Sequence, residues 1–138
     1  VKYRLEMVVI PVGDVDRAKA FYEQAGFVCD VDHDAGSEFR VVQFTPPGSH
    51  CSITFGIGLP IAASPGDYQG MHLVVADIEK AIADLRGRGI DVKGPFHFGS
   101  AGQTAGLPDE RVDYATYASF SDPDGNGWLL QEVPSRGE

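Results

Sequence analysis

Cysteine is scarce in this chain, with Cys29 and Cys51 the only two among 138 residues. They have no CxxC spacing and no secretory segment in front of them. A disulfide framework or zinc knuckle is therefore not expected, and both read as reduced thiols of a cytoplasmic protein. Cys51 has no activating base identifiable in the sequence, so it reads as a structural thiol. Positive charge is scarce too. Eleven Lys and Arg face twenty Asp and Glu, a formal charge of -9, whereas nucleic acid or an anionic membrane needs a cationic face. The same acidity favours a cationic small molecule or serves solubility alone. No apolar run approaches the ~20 residues of a membrane span. A GxSxG elbow and a glycine-rich strand-to-helix loop are also missing, so neither an α/β-hydrolase nor a nucleotide-binding motif is supported.

What the chain does contain is a repeat. Val12, Asp14, Ala18 and Gly26 return without a gap as Val75, Asp77, Ala81 and Gly89. A period of about 60 residues is longer than a solenoid unit and indicates two half-domains of one fold. In the first half, residues 5–12 read as a strand and Asp14 as a helix cap. Ala18, Phe21, Tyr22 and Ala25 form one apolar stripe, and Gly26 ends the helix. Strands are then expected at residues 27–31, 38–45 and 51–57, separated by turn chemistry. After a linker at residues 58–70, the order repeats with a strand at 71–76, a helix at 77–88 buried through Ile78, Ile82 and Leu85, and strands at 90–92, 114–121 and 128–133. Residues 99–113 are too glycine-rich for an interior strand and read as a lid or a plain loop. The fold class expected is α+β, eight strands in two βαβββ half-modules at about 3–58 and 70–134 of a single domain over 1–138.

The opening Val8-Val9-Ile10-Pro11-Val12-Gly13-Asp14, the closing Asp122-Pro123-Asp124-Gly125-Asn126 and the repeat between them resemble the vicinal oxygen chelate superfamily. That group holds glyoxalase I, extradiol dioxygenases, fosfomycin-resistance enzymes and bleomycin-resistance proteins. The resemblance implies a curved mixed sheet around a groove, and a two-fold homodimer. It also implies four metal ligands, from the first and last strands of each half. Those positions fall at Met7, Ser52, Gly70 and Leu129. A thioether, a hydroxyl, a hydrogen and an isobutyl group do not replace imidazole and carboxylate around a divalent ion. Glu6 and Glu132 are out of phase with the groove face. No metal or other cofactor is expected, and no catalytic residue is assigned.

His72 shares the groove face with Gly70, and reads either as a displaced ligand or as a hydrogen-bonded wall residue. Met7, Ser52, Gly70, His72, Leu129 and Gln131 are expected to line the groove, with His97 and Tyr114 at its rim. His33 and His50 lie in turn regions and carry no assigned role. Phe55, Tyr114, Tyr117, Phe120 and Trp128 divide between the core and a surface that stacks on a planar ligand. The expected function is small-molecule binding, as in a resistance or sequestration protein. The alternative is a lyase, isomerase or dioxygenase of the glyoxalase type, with His72 or His97 as general base if it works without metal.

Overall fold

Asp14 and Asp77 open the two helices as their spacing predicts. Each stands in extended backbone, and its carboxylate accepts first-turn N–H groups, from Arg17 in one case and from Glu79 and Lys80 in the other. In the computed structural model, which describes residues 1–137, helix α1 spans Val15–Gln24 and helix α2 spans Ile78–Gly87. Ala18, Tyr22 and Ala25 are buried along α1, and Ile78, Ile82 and Leu85 along α2. Gly26 and Gly89 have φ of 87° and 85°. The next N–H groups, of Phe27 and Ile90, reach back 3.0 Å to Tyr22 O and Leu85 O. Such a left-handed reversal is easiest for glycine, and it turns the chain sharply away from each helix axis.

The chain divides into two compact units, Val1–Tyr68 with Asp122–Asn126, and Gln69–Ser121 with the chain from Gly127 onward. In the first unit, strands β1 (Met7–Val9), β2 (Val28–Asp34), β3 (Arg40–Thr45) and β4 (Ser52–Ile57) form a sheet in the order β1-β4-β3-β2. β1 runs parallel to β4 and the other pairs are antiparallel. Val42, Phe44, Ile53 and Phe55 are buried on one face. Tyr22 of α1 lies 6.0 Å and 5.8 Å from the rings of Phe44 and Phe55, which stack on each other at 5.9 Å.

The stretch Asp122–Asn126, expected as part of the second half, packs into this first unit. Asn126 is fully buried. Its Nδ2 donates to Pro11 O at 2.7 Å and Asp122 Oδ2 at 2.9 Å, while its Oδ1 accepts from Gly66 N at 3.1 Å and Tyr68 N at 3.3 Å. The buried Tyr22 hydroxyl donates to Asp122 Oδ2 at 2.8 Å. Asp and Asn supply the acceptors that a tight turn needs, and here they also satisfy backbone groups far away in sequence.

Across α1, β2 and β3, Asp32 accepts from Lys19 at 2.8 Å and Arg40 at 2.9 Å, and Arg40 also reaches Asp16 at 2.7 Å. Hydrogen bonds from Arg40 first and Lys19 second hold the Asp32 carboxyl well below the usual carboxylate range. A carboxylate depressed in the folded state stabilises fully above its unfolded pKa of about 3.9, and that stabilisation is lost as pH falls. Urea melts should therefore separate Asp32→Asn from the parent most at pH 6, with the gap closing towards pH 2. A gap independent of pH would contradict this reading.

The second unit holds β5 (Met71–Val75), β6 (Lys93–Gly99), β7 (Gly102–Ala105), β8 (Thr116–Ser121) and β9 (Gly127–Glu132), ordered β5-β9-β8-β6-β7. The sheet's buried face carries Ala118, Phe120, Trp128 and Leu130. A 3₁₀ turn, Pro134–Arg136, follows β9.

Two expectations change here. The strand expected at 90–92 begins instead at Lys93; Ile90 and Val92 are buried, 5% and 3% exposed, in the connection from α2, so burial without ladder pairing accounts for the apolar run read as a strand. The ladder then shifts register between Lys93 and Phe96, and such a bulge is where a sheet tolerates Pro95. The segment 99–113 is partly strand. β7 pairs only with β6, and an edge strand bears glycine that an interior strand would not. The described strands therefore number nine rather than eight.

Arg111 ties down the remainder of that segment. It donates to Glu132 at 2.6 Å and Glu79 at 2.8 Å, while Glu132 Oε2 accepts the Ile78 N–H at the start of α2.

Candidate functional site

Each sheet packs one face against its helix, and strand alternation decides which residues stand on the other, a face open in the second unit but covered along β4 in the first, where Ser52 and Thr54 are 4% and 3% exposed. In the first unit Met7 pairs with Ser52, and the Thr54 hydroxyl donates to Met7 Sδ at 3.0 Å. Gln43 and Thr45 alternate with buried Val42 and Phe44, so they share this face. Gln43 Nε2 donates to Ser52 Oγ at 3.4 Å, and Ser52 and Thr45 hydroxyls lie 2.6 Å apart. Thr45 in turn donates to Asp30. Asp30 is the extra residue where β2 slips register against β3, and the bulge turns its carboxylate towards Thr45. This face is thus a run of hydroxyls ending on a carboxylate, with an exposed thioether beside it.

In the second unit the open face holds His72, Leu129, Gln131, Tyr117 and Phe96, which the ladders bring side by side: His72 pairs with Leu129, Tyr117 with Gln131, and Phe96 with Tyr117. His72 Nδ1 lies 2.6 Å from Gly70 O. A carbonyl only accepts, so Nδ1 carries the hydrogen and neutral His72 presents Nε2 as an acceptor. Phe96 and Tyr117 stack at 5.7 Å, and Phe98 meets Tyr117 edge-on at 5.5 Å. Phe98 is 61% exposed. A depression of about 420 Å³ beside them is lined by Lys93, Gly94, Pro95, Phe96, Gln103, Ala105 and Ser119. A wider one of about 770 Å³ is bounded by Arg4, Leu5, Glu6 and His50, without Phe, Tyr or Trp.

Gly70, His97 and Tyr114 stand apart from this arrangement. Gly70 precedes β5 with φ of 74°, so it is a turn residue, and the position beside Leu129 belongs to His72. His97 pairs with Thr116 and alternates with Phe96 and Phe98, which puts it on the other side of the sheet. There its Nδ1 donates to Gly106 O at 2.7 Å and staples the end of β7 to β6. Tyr114 lies outside β8 with φ of 68°, a strained value for a bulky residue. It meets the open face through its carbonyl, which accepts from Gln131.

Phe96 and Phe98 are open-face residues that sequence reasoning misses. Their spacing around His97 is the period-2 signal that marks one face of a strand.

Among the described residues, no group of three or more His, Cys, Asp or Glu side chains is arranged to hold a metal ion. Taken unit by unit, the first offers the Met7 thioether and the Ser52 hydroxyl and the second the His72 imidazole beside the Leu129 hydrocarbon, and neither pair is a donor set that fits a divalent cation.

The sequence model of the Glyoxalase/Bleomycin resistance protein/Dioxygenase superfamily matches residues 4–130. Among solved structures, TnmS3, an antibiotic binding protein from Streptomyces sp. CB03234, is similar with a TM-score of 0.72 at 29% identity, over 96% of this chain and 97% of that one. A glyoxalase/bleomycin resistance protein from the same organism gives 0.70 at 30% identity, over 94% and 100%. A superfamily member from Sphaerobacter thermophilus DSM 20745 gives 0.69 at 28%, over 95% and 98%. No curated protein matches the sequence. Strand order, helix caps and a family match from residue 4 to residue 130 agree, and the chain belongs to the glyoxalase/bleomycin resistance protein/dioxygenase superfamily.

Proposed function

We propose that this protein binds a small organic molecule with a planar aromatic part, as a sequestration or resistance protein that does not use its superfamily's usual metal ion. One observation carries the reading: the open face of the second sheet gathers Phe96, Phe98, Tyr117 and Leu129 around sparse polar groups, which is how ligand sites are generally built. The likeness to an antibiotic binding protein supports it, and the charge of -9 favours a cationic ligand.

Leu129→Glu is the test, with bleomycin and a cationic acridine as probes in calorimetric titrations. The parent should bind one of them with micromolar affinity, about 8 kcal/mol. The variant, whose carboxylate can reach water, should remain folded by circular dichroism and lose at least tenfold in affinity. Unchanged binding would place the site elsewhere. Gly70→His is not a useful partner substitution, because its φ of 74° strains any L side chain.

Zn, Ni, Mn, Fe and Co should each be substoichiometric in protein purified without a histidine tag, and adding them should not raise the melting temperature. A tightly held ion would raise it by mass action. One equivalent of metal bound through His72 would overturn this part of the reading.

The anchored His72 ring favours a second reading, a metal-free lyase or isomerase in which Nε2 takes a proton. Turnover abolished by His72→Ala with ligand affinity intact would select it.

We also propose a homodimer, because β1, β2, β5 and β7 are edge strands that need cover. Sedimentation should give about twice 14.8 kDa. The unbridged thiols of Cys29 and Cys51 support a reducing, cytoplasmic setting.

A further inference from the structure

Gln131 is held unusually firmly for a surface amide. Its Nε2 donates one hydrogen to Tyr114 O at 3.2 Å and the other to the Tyr117 hydroxyl at 2.9 Å. A carbonyl cannot donate, so the Tyr114 contact fixes which end of the carboxamide is nitrogen. Both amide hydrogens are then engaged, and Oε1 is left as an acceptor. The Tyr117 oxygen, accepting from Gln131, keeps its own hydrogen for another group. The carbonyl that sets this arrangement belongs to the residue held at φ of 68°, and strained backbone of this kind persists where the surroundings over-determine it.

Beside this pair lie the rings of Phe96 and Phe98, and Tyr117 itself is the middle ring of the trio. We propose that Gln131 Oε1 and the Tyr117 hydroxyl hydrogen act together as an acceptor–donor pair that selects a carboxamide carried on a planar aromatic ring. The ligand N–H donates to Gln131 Oε1, its carbonyl accepts from Tyr117, and the ring lies against the aromatic trio. This rests on the aromatic-ligand reading above and adds the polar group by which the ligand is chosen. A site built to pair with an N–H discriminates sharply against an analogue without one, because its polar atom is then left unsatisfied.

The test uses 2-naphthamide and N,N-dimethyl-2-naphthamide, titrated into the full chain and followed by nuclear magnetic resonance. The parent should bind 2-naphthamide about tenfold more tightly. Gln131→Leu should remove that preference by weakening 2-naphthamide alone. Tyr117→Phe, which removes the donor that meets the carbonyl common to both compounds, should weaken both several-fold. Equal binding of the two amides by the parent, or a preference that survives Gln131→Leu, would overturn the acceptor–donor pair while leaving the aromatic site standing. Failure of both compounds to bind at millimolar concentration would overturn the aromatic-ligand reading and this proposal with it.

Discussion

An Asn126→Ala variant should unfold about 3 kcal/mol more easily than the parent in chemical denaturation, if it folds at all. The side chain is fully buried and makes four hydrogen bonds to three separate stretches of the first unit. Each typical bond contributes about 1 kcal/mol net, and a buried group stripped of its partner costs about 1–3 kcal/mol. The carbonyl of buried Pro11 loses such a partner outright. A milder probe of the same cluster is Tyr22→Phe, which removes the bond to Asp122 and should cost about 1–2 kcal/mol because the acceptor is a carboxylate. A loss below about 1 kcal/mol for Asn126→Ala would mean that the turn is not what closes the first unit.

Arg111→Met is the second large effect. Glu132 is 1% exposed, and its charge is met by Arg111 and the first N–H of α2. Removing one partner of a buried pair costs about 3–5 kcal/mol. With the Arg111 side chain about a third exposed, solvent screens part of that, and about 2 kcal/mol is expected. The melting temperature should fall by roughly 8 °C for a chain of this size. Replacing Glu132 by Met as well should recover part of the loss, since the unpaired charge then goes too. A double variant less stable than Arg111→Met would show that Glu132 matters chiefly as the cap of α2.

The repeat made both helices, their caps and their glycine stops legible, because these depend on residues within one or two turns of each other. Asp14 with Gly26, and Asp77 with Gly89, bracket the helices that the backbone hydrogen bonds define. Open-face residues were legible wherever strand phase could be counted, as for His72, Leu129 and Gln131.

Counting failed where a local irregularity changed the phase. Gly70 lies in a left-handed turn before its strand begins, and the bulge between Lys93 and Phe96 made the phase of His97 unreadable from outside. The placement of Asp122–Asn126 in the first unit was also not legible. It rests on contacts such as Asn126 with Pro11 and Tyr22 with Asp122, which join distant parts of the chain and leave no periodic trace.

The parallel pairing within each sheet has a kinetic consequence. β1 needs β4, so Met7 waits for Ser52, and β5 needs β9, so Met71 waits for Trp128. Pairings this distant must close long loops before any contact offsets the lost entropy, and they slow folding. The first unit waits longer still, because its last piece, Asp122–Asn126, lies near the far end of the chain. On the ribosome, residues 1–68 therefore emerge without the segment that satisfies Tyr22 and Pro11. A stalled nascent chain ending before Asp122 should stay protease-sensitive in its first half, and one extended past Asn126 and clear of the exit tunnel should become resistant.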